Sequence, residues 1–193
     1  MVNRIFLLEV FTFFSTMKFP PSQVALYRSL FLMQESNSLL RLAISLYSIS
    51  LVTSAFTTFP KVRILGPCRR QSQVELSKTD ARALGVNPPV RISGDLEGTP
   101  GIKLVGPAGE LELKSGVIVA KRHIHIGKKQ VEEWGLRTGD IVAVRVDTPD
   151  RALIFGDTEI RVQDEEDLAL MHIDTDEANA AGMGPMKAYI VEF

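Results

Sequence analysis

Residues 117–126 read Val117-Ile-Val-Ala-Lys-Arg-His-Ile-His-Ile126, a β-branched apolar run that ends in two histidines. Successive side chains of a strand alternate between its faces, so His123 and His125 project the same way and can close on one ion. The third and last histidine of the chain is His172. Imidazole suits zinc, and a catalytic zinc commonly takes three protein ligands. The concentration of every histidine into two short, apolar-flanked segments favours a metal site over the alternative, a solvated strand face that carries two polar residues by chance.

The residues that flank this strand, from position 61 onward, predict a mainly β chain. Short runs with period-two alternation, such as Ile141-Val-Ala-Val-Arg-Val146, are separated by turns such as Gly106-Pro-Ala-Gly109. Many short strands at this spacing favour a small barrel over a parallel sheet. Short helices are expected at residues 78–84, 128–134 and 174–181.

Composition excludes several classes of protein. The 193 residues have a formal net charge of -1 and no long basic run, which argues against a nucleic-acid-binding protein. The single cysteine, Cys68, excludes an internal disulfide framework and fits a reducing, cytoplasmic compartment. Cys68 is expected to be a small, partly buried residue rather than a nucleophile.

Residues 1–60 differ in character from the rest. Their only acids are Glu9 and Glu35, and they hold two apolar stretches at about residues 5–14 and 42–59. Each stretch is shorter than, or barely reaches, the roughly 20 apolar residues of a membrane helix. We expect a helical or disordered segment that contacts a membrane surface or a protein partner. An artefactual amino terminus is the alternative.

An internal repeat suggests a fourth metal ligand. Gln73-Val-Glu-Leu-Ser-Lys-Thr-Asp-Ala-Arg-Ala-Leu-Gly-Val86 aligns without a gap with His123-Ile-His-Ile-Gly-Lys-Lys-Gln-Val-Glu-Glu-Trp-Gly-Leu136. Both segments read as a strand end, a polar turn, a short helix and a glycine stop. Glu75 falls at the position of His125, so two similar units could offer a carboxylate and an imidazole to one ion. The alternative is a shared strand-turn-helix solution with Glu75 as an ordinary acid.

Four separated motifs resemble those of the phosphate propanoyltransferases, which are phosphotransacylases. The motifs are Val62-Arg-Ile-Leu-Gly-Pro-Cys-Arg-Arg-Gln-Ser-Gln-Val-Glu75, Pro88-Pro-Val-Arg-Ile-Ser-Gly-Asp95 with Gly98-Thr-Pro-Gly101, the strand that ends at His125, and Met171-His-Ile-Asp-Thr-Asp-Glu-Ala-Asn179. They occur in family order and cover about residues 61–193. The family also has an amino-terminal R-H-V-H motif, whereas this chain has no histidine before His123.

The resemblance implies paired small β-barrel domains, the first of them incomplete here, at residues 61–116 and 117–193 after the atypical segment 1–60. It implies zinc as cofactor, with Glu75, His123, His125 and His172 as ligands. Arg69 would bind phosphate, because a guanidinium fork matches phosphate oxygens. The implied partners are acyl-coenzyme A and inorganic phosphate, with a homodimer and a microcompartment shell contact through residues 1–60 as further expectations.

The retained residues suit transfer of a short acyl group, propanoyl or acetyl, between coenzyme A and phosphate. Phosphate can attack a thioester directly, which agrees with the lack of an obvious Ser-His or Cys-His arrangement. Asp174 and Asp176 are either contacts to the imidazoles or a helix cap, and the cap is favoured. The alternatives are a zinc-dependent thioester hydrolase and a catalytically impaired metal-binding barrel fragment.

Overall fold

The computed structural model describes residues 8–13, 16–18, 49–52, 58–64, 70–106, 109–164, 169–182 and 187–191. The chain divides into two compact units, one made of Met1–Phe13 with Lys121–Phe193 and the other of Phe14–Ala120. The domain limits expected from the sequence, after residues 60 and 116, stay a prediction. The expectation of a mainly β chain with a few short helices is confirmed.

The described residues form fourteen strands and three helices. In chain order they are β1 Leu8–Phe13, β2 Thr16–Lys18, β3 Ile49–Val52, β4 Thr58–Ile64, β5 Gln73–Leu76, α1 Lys78–Leu84, β6 Val90–Arg91, β7 Ile102–Gly106, β8 Gly109–Leu113, β9 Val117–Ala120, β10 His123–Gly127, α2 Lys128–Trp134, β11 Ile141–Asp147, β12 Leu153–Gln163, β13 Ala169–Asp174, α3 Thr175–Ala180 and β14 Lys187–Val191.

The first unit is a closed barrel with strand order β1-β13-β10-β12-β11-β14. Its core holds the residues that alternate with the polar ones along each strand. Ile124, Ile126, Ile160, Met171 and Ile173 are each at most 1% exposed. Since Ile124 and Ile126 face the core, His123 and His125, which alternate with them along β10, lie on the outer face of the barrel.

The second unit is an eight-stranded sheet with order β6-β9-β5-β2-β4-β3-β7-β8. Its core includes Val74, Leu76, Leu84, Leu104 and Val117, all nearly or fully buried. In the barrel, β11 pairs with β12 and closes the ring of strands. The strands at the corresponding positions of the sheet, β7 and β9, show no pairing among the described residues, so the sheet is open there. That openness agrees with the incomplete first barrel expected from the sequence.

The strand-turn-helix repeat is present in both units. Helices α1 and α2 have the predicted limits, and each ends at a left-handed glycine, Gly85 at φ 71° and Gly135 at φ 69°. Fifty positions apart, the amide of Val86 donates to Ala81 O and that of Leu136 donates to Val131 O, both at 3.0 Å. This C-terminal hydrogen bond closes the helix in the same way each time.

The repeat extends beyond the two helices to the strand order. The pairings β12-β10-β13-β1-β14-β11 run parallel, antiparallel, parallel, antiparallel and antiparallel. The pairings β9-β5-β2-β4-β3-β7 have the same directions in the same order. The two units therefore share one plan over six strands.

The amino-terminal segment needs a correction for its described residues. In place of the expected helices, β1 pairs with β13 and β14 inside the barrel, and β2 and β3 lie in the sheet. The residues Leu8–Phe13 are mostly apolar and include β-branched and aromatic side chains, which suits a strand once a partner edge is available. In the described part of the chain, no helix has the length and apolar character to cross a membrane.

Candidate metal centre

The structure brings the three histidines together on the outer face of the barrel. His123 and His125 lie on β10, and His172 lies directly opposite His123 on the antiparallel strand β13. Their ring centroids are 4.8 Å apart for His123 and His125, 4.9 Å for His123 and His172, and 4.6 Å for His125 and His172. One nitrogen from each ring lies within 4.8 Å of the others. The pair expected from the spacing is therefore present, and His172, a ligand implied by the resemblance, lies with it.

A backbone carbonyl orients the first imidazole. Nδ1 of His123 lies 2.9 Å from the carbonyl oxygen of Lys121, and because that oxygen can only accept, Nδ1 must carry the proton. Nε2 of His123, which carries the lone pair in the neutral form of such a ring, faces Nε2 of His125 at 2.9 Å. Two nitrogens on one tetrahedral zinc would be about 3.3 Å apart. A small relaxation of these rings would bring the trio to metal-ligand geometry, so the donor set fits zinc.

Lys121 also links this site to the neighbouring strand β12. Its ammonium lies 3.2 Å from Oε2 of Glu159, which is buried and stands in register with His123. The lysine thus holds His123 through its carbonyl and Glu159 through its side chain. Sequence reasoning missed Glu159, although its place in the alternating run of β12 marks it as a residue of one face.

A second ion pair joins the ends of the two histidine-bearing strands. Arg122 donates to the carbonyl of Gly156 at 2.6 Å and to Oε1 of Glu177. The other carboxylate oxygen of Glu177 accepts from the amide of Asp174 at 3.1 Å. Since Arg122 precedes His123 and Asp174 follows His172 by two residues, the contact ties the two ligand strands to each other.

The helix cap expected at Asp174 is confirmed. Its carboxylate accepts from the amide of Glu177 at 2.9 Å, and with the reciprocal bond the two residues form a capping box at α3. Burial raises the pKa of Asp174 to about 6. Asp176 lies in the first turn of the same helix.

Glu75 belongs to the other unit, where it is buried on β5 at 7% exposure. Its Oε1 accepts from Nε2 of Gln73 and, at 3.0 Å, from the hydroxyl of Ser93. Gln73 is held in turn, because its amide donates to Ser93 at 2.8 Å and accepts from the amide of Gly94 at 2.8 Å. The carboxylate is therefore fixed in orientation. Its part as a fourth ligand stays a prediction.

The remaining candidates lie elsewhere. Arg69, expected to bind phosphate, and Cys68 are outside the described residues. Ser93 lies within one of the four family motifs, but its contact with Glu75 was not predicted. A polar residue between two turn-forming segments was the only signal that could have suggested it.

Comparison with known proteins places the chain in a family. A family model described as phosphate propanoyltransferase matches residues 45–184, so the match begins earlier than the position 61 expected from the motifs. The phosphate propanoyltransferase of Thermotoga maritima is 58% identical over 68% of this chain and 63% of its own length. That of Salmonella typhimurium is 57% identical over 63% of this chain and 57% of its own length. That of Klebsiella pneumoniae is 52% identical over 66% of this chain and 60% of its own length.

The chain thus spans between 57% and 63% of the length of these three curated relatives. The matched region includes β5, with Glu75, and the whole histidine trio. The resemblance inferred from the four motifs is confirmed, and the chain belongs to the phosphate propanoyltransferase family.

Proposed function

We propose that the protein transfers a short acyl group, propanoyl or acetyl, between coenzyme A and inorganic phosphate. The observation that carries the proposal is the convergence of His123, His125 and His172 on one outer face of the barrel. The names of the relatives support the same reaction. Because the chain spans only part of those relatives, the activity of this chain is a proposal of its own.

Four residues would hold the cofactor in this proposal, namely the three histidines and Glu75. Nitrogen and carboxylate donors suit zinc, and the family's amino-terminal histidine motif is absent, so we expect about one ion per chain. When bound, zinc would supply Lewis acidity toward a carbonyl or phosphoryl oxygen. The contact between Lys121 O and Nδ1 of His123 supports this role, because it holds that ring as a ligand through Nε2.

The protein's own groups would position the two substrates. A phosphate oxygen attacks the thioester carbonyl carbon, the carbon–sulfur bond breaks, and the coenzyme A thiolate leaves as acyl phosphate forms. No residue of the enzyme needs to become acylated in this direct route. Arg69 would orient the phosphate and reduce its charge repulsion with the electron-rich carbonyl oxygen.

The test is acyl phosphate formation by the purified chain. Propanoyl-coenzyme A is supplied with and without inorganic phosphate, free thiol is measured with a chromogenic disulfide, and acyl phosphate is measured by ³¹P NMR. We expect thiol release that requires phosphate and is lost in the variant with both His123→Ala and His125→Ala. Thiol release without phosphate would favour the thioester hydrolase, and no release would favour the impaired metal-binding barrel.

The location and the assembly of the protein stay predictions. A cytoplasmic location follows from the single cysteine, whereas a microcompartment location, a shell contact through residues 1–60 and a homodimer follow from the resemblance. Co-sedimentation of the chain with purified microcompartment shells, compared with a chain that lacks residues 1–7, would test the shell contact.

A further inference from the structure

Three polar residues of β12 lie on the same outer face of the barrel as the histidines. The parallel register places Glu159 beside His123 and Arg161 beside His125, while Ile160 and Val162 alternate into the core. Nε2 of Gln163 lies 3.5 Å from Nε2 of His125. A side chain from this face of β12 therefore reaches the ring edge of the trio.

Arg161 differs from three other arginines of the barrel, Arg122, Arg145 and Arg151. Arg122 is bound by Glu177, Arg145 donates to Asp147 at 2.7 Å, and Arg151 donates to the carbonyl of Asn179 at 2.9 Å. Arg161 is half-buried, yet no hydrogen bond or ion pair engages its guanidinium among the described residues of its unit.

The acid of β12 that shares this face with Arg161 already has a cationic partner. Glu159 stands two residues before Arg161 and pairs with Lys121. A guanidinium has five donors in a planar fork, and taking it partly out of water without a partner is costly. Such a group next to a candidate zinc site is suited to an anionic ligand.

We infer that Arg161 binds a phosphate group beside the histidine trio, an inference that rests on the proposed acyltransferase function. The planar fork can take two phosphate oxygens at once, which a lysine ammonium cannot do. The phosphate could be that of the inorganic substrate and acyl phosphate, or a phosphate of coenzyme A. This role is additional to that of Arg69, which the family resemblance implies.

Direct binding tests the inference without relying on turnover. Isothermal titration of the full chain is made with inorganic phosphate, coenzyme A, dephospho-coenzyme A and pantetheine. The proteins are wild type, Arg161→Gln, Arg161→Lys and the control Arg145→Gln, which makes the same change in net charge at an arginine that Asp147 already neutralises. Since a hydrogen-bonded charge contributes about 1.5–3 kcal/mol, Arg161→Gln should weaken binding of the phosphate-bearing ligand about 10- to 100-fold.

The pattern of losses identifies the ligand. Weaker inorganic phosphate binding with coenzyme A unchanged assigns Arg161 to the inorganic substrate. Weaker coenzyme A binding, with pantetheine unchanged, assigns it to coenzyme A, and an unchanged dephospho-coenzyme A affinity narrows this to the 3′-phosphate. Arg161→Lys should recover part of the affinity and Arg145→Gln should bind like wild type.

Two results would overturn the inference. One is wild-type affinity of both Arg161 variants for all four ligands, and the other is an equal loss in Arg145→Gln. If wild type forms acyl phosphate while the Arg161 variants bind normally, only this inference fails. If wild type binds phosphate through Arg161 but forms no acyl phosphate, the proposed function fails instead.

Discussion

Removal of one imidazole from the trio should abolish most of the stabilisation that zinc gives to the fold. At a free zinc concentration 100 times the dissociation constant, wild type should gain about 2.7 kcal/mol, or roughly 5–11 °C in melting temperature for a chain of this size. Loss of a group that merely hydrogen-bonds a zinc ligand weakens affinity about 10- to 100-fold, so loss of His125 itself should cost at least about 100-fold. At the same free zinc, His125→Ala should then gain only about 0.4 kcal/mol, or roughly 1–2 °C.

The assay is thermal unfolding of metal-stripped protein in zinc buffers, together with elemental analysis after dialysis, where wild type should hold about one zinc per chain. The matched control is Ile126→Val, which removes one methylene from a fully buried core position. It should lower the unfolding free energy by about 0.5–1.5 kcal/mol but keep the full response to zinc. Equal zinc responses in wild type and His125→Ala, or a zinc content near zero in wild type, would refute the reasoning.

Three further predictions concern other parts of the chain. Arg69→Lys should raise the KM for phosphate and leave that for acyl-coenzyme A nearly unchanged in steady-state kinetics, and an unchanged KM for phosphate would remove Arg69 from the site. Gly85→Ala and Gly135→Ala should each lower the unfolding free energy by about 1–2 kcal/mol in urea titrations, because alanine is strained at the positive φ of both positions. The two losses should be similar, because at neither position would an added Cβ meet an atom within 4 Å. Clearly unequal losses would contradict the repeat. Deletion of residues 1–13 should abolish the cooperative unfolding transition followed by near-ultraviolet circular dichroism, because it removes β1 from between β13 and β14, whereas deletion of residues 1–7 leaves β1 in place. Retention of that transition after the longer deletion would show that the barrel forms without β1.

The helices and the histidine pair could be predicted because their signals are local. Helices α1 and α2 each end at a glycine that closes the last turn, and the alternation of Ile124 and Ile126 with the histidines fixes which face each occupies. The third histidine was predicted as a ligand through the family resemblance. That it stands opposite His123 is a matter of strand register, which local sequence does not specify.

The rest depends on contacts between distant residues. Strand β1 pairs with residues about 160 positions later, so nothing within residues 1–60 shows that a partner edge exists. The placement of Glu159 and Arg161 beside the histidines likewise depends on the parallel pairing of β10 with β12, and one helix and one further strand separate these two strands along the chain. The apolar stretches of residues 1–60 lack turn signals and were predicted to be helical or disordered. Residues Leu8–Phe13 form a strand instead, because they pair with β13 and β14 and close the barrel.

The shared plan of the two units gives the candidate ligands a common geometric origin. In each unit the strand before the repeated helix carries two polar residues on its outer face, and in each the two side chains touch. Nε2 of Gln73 contacts Oε1 of Glu75, and Nε2 of His123 contacts Nε2 of His125 at 2.9 Å. A further group orients each pair. The hydroxyl of Ser93 donates to Glu75, and the carbonyl of Lys121 contacts Nδ1 of His123. The same backbone arrangement therefore orients a carboxylate oxygen in one unit and imidazole nitrogens in the other, and both are donor types that zinc accepts.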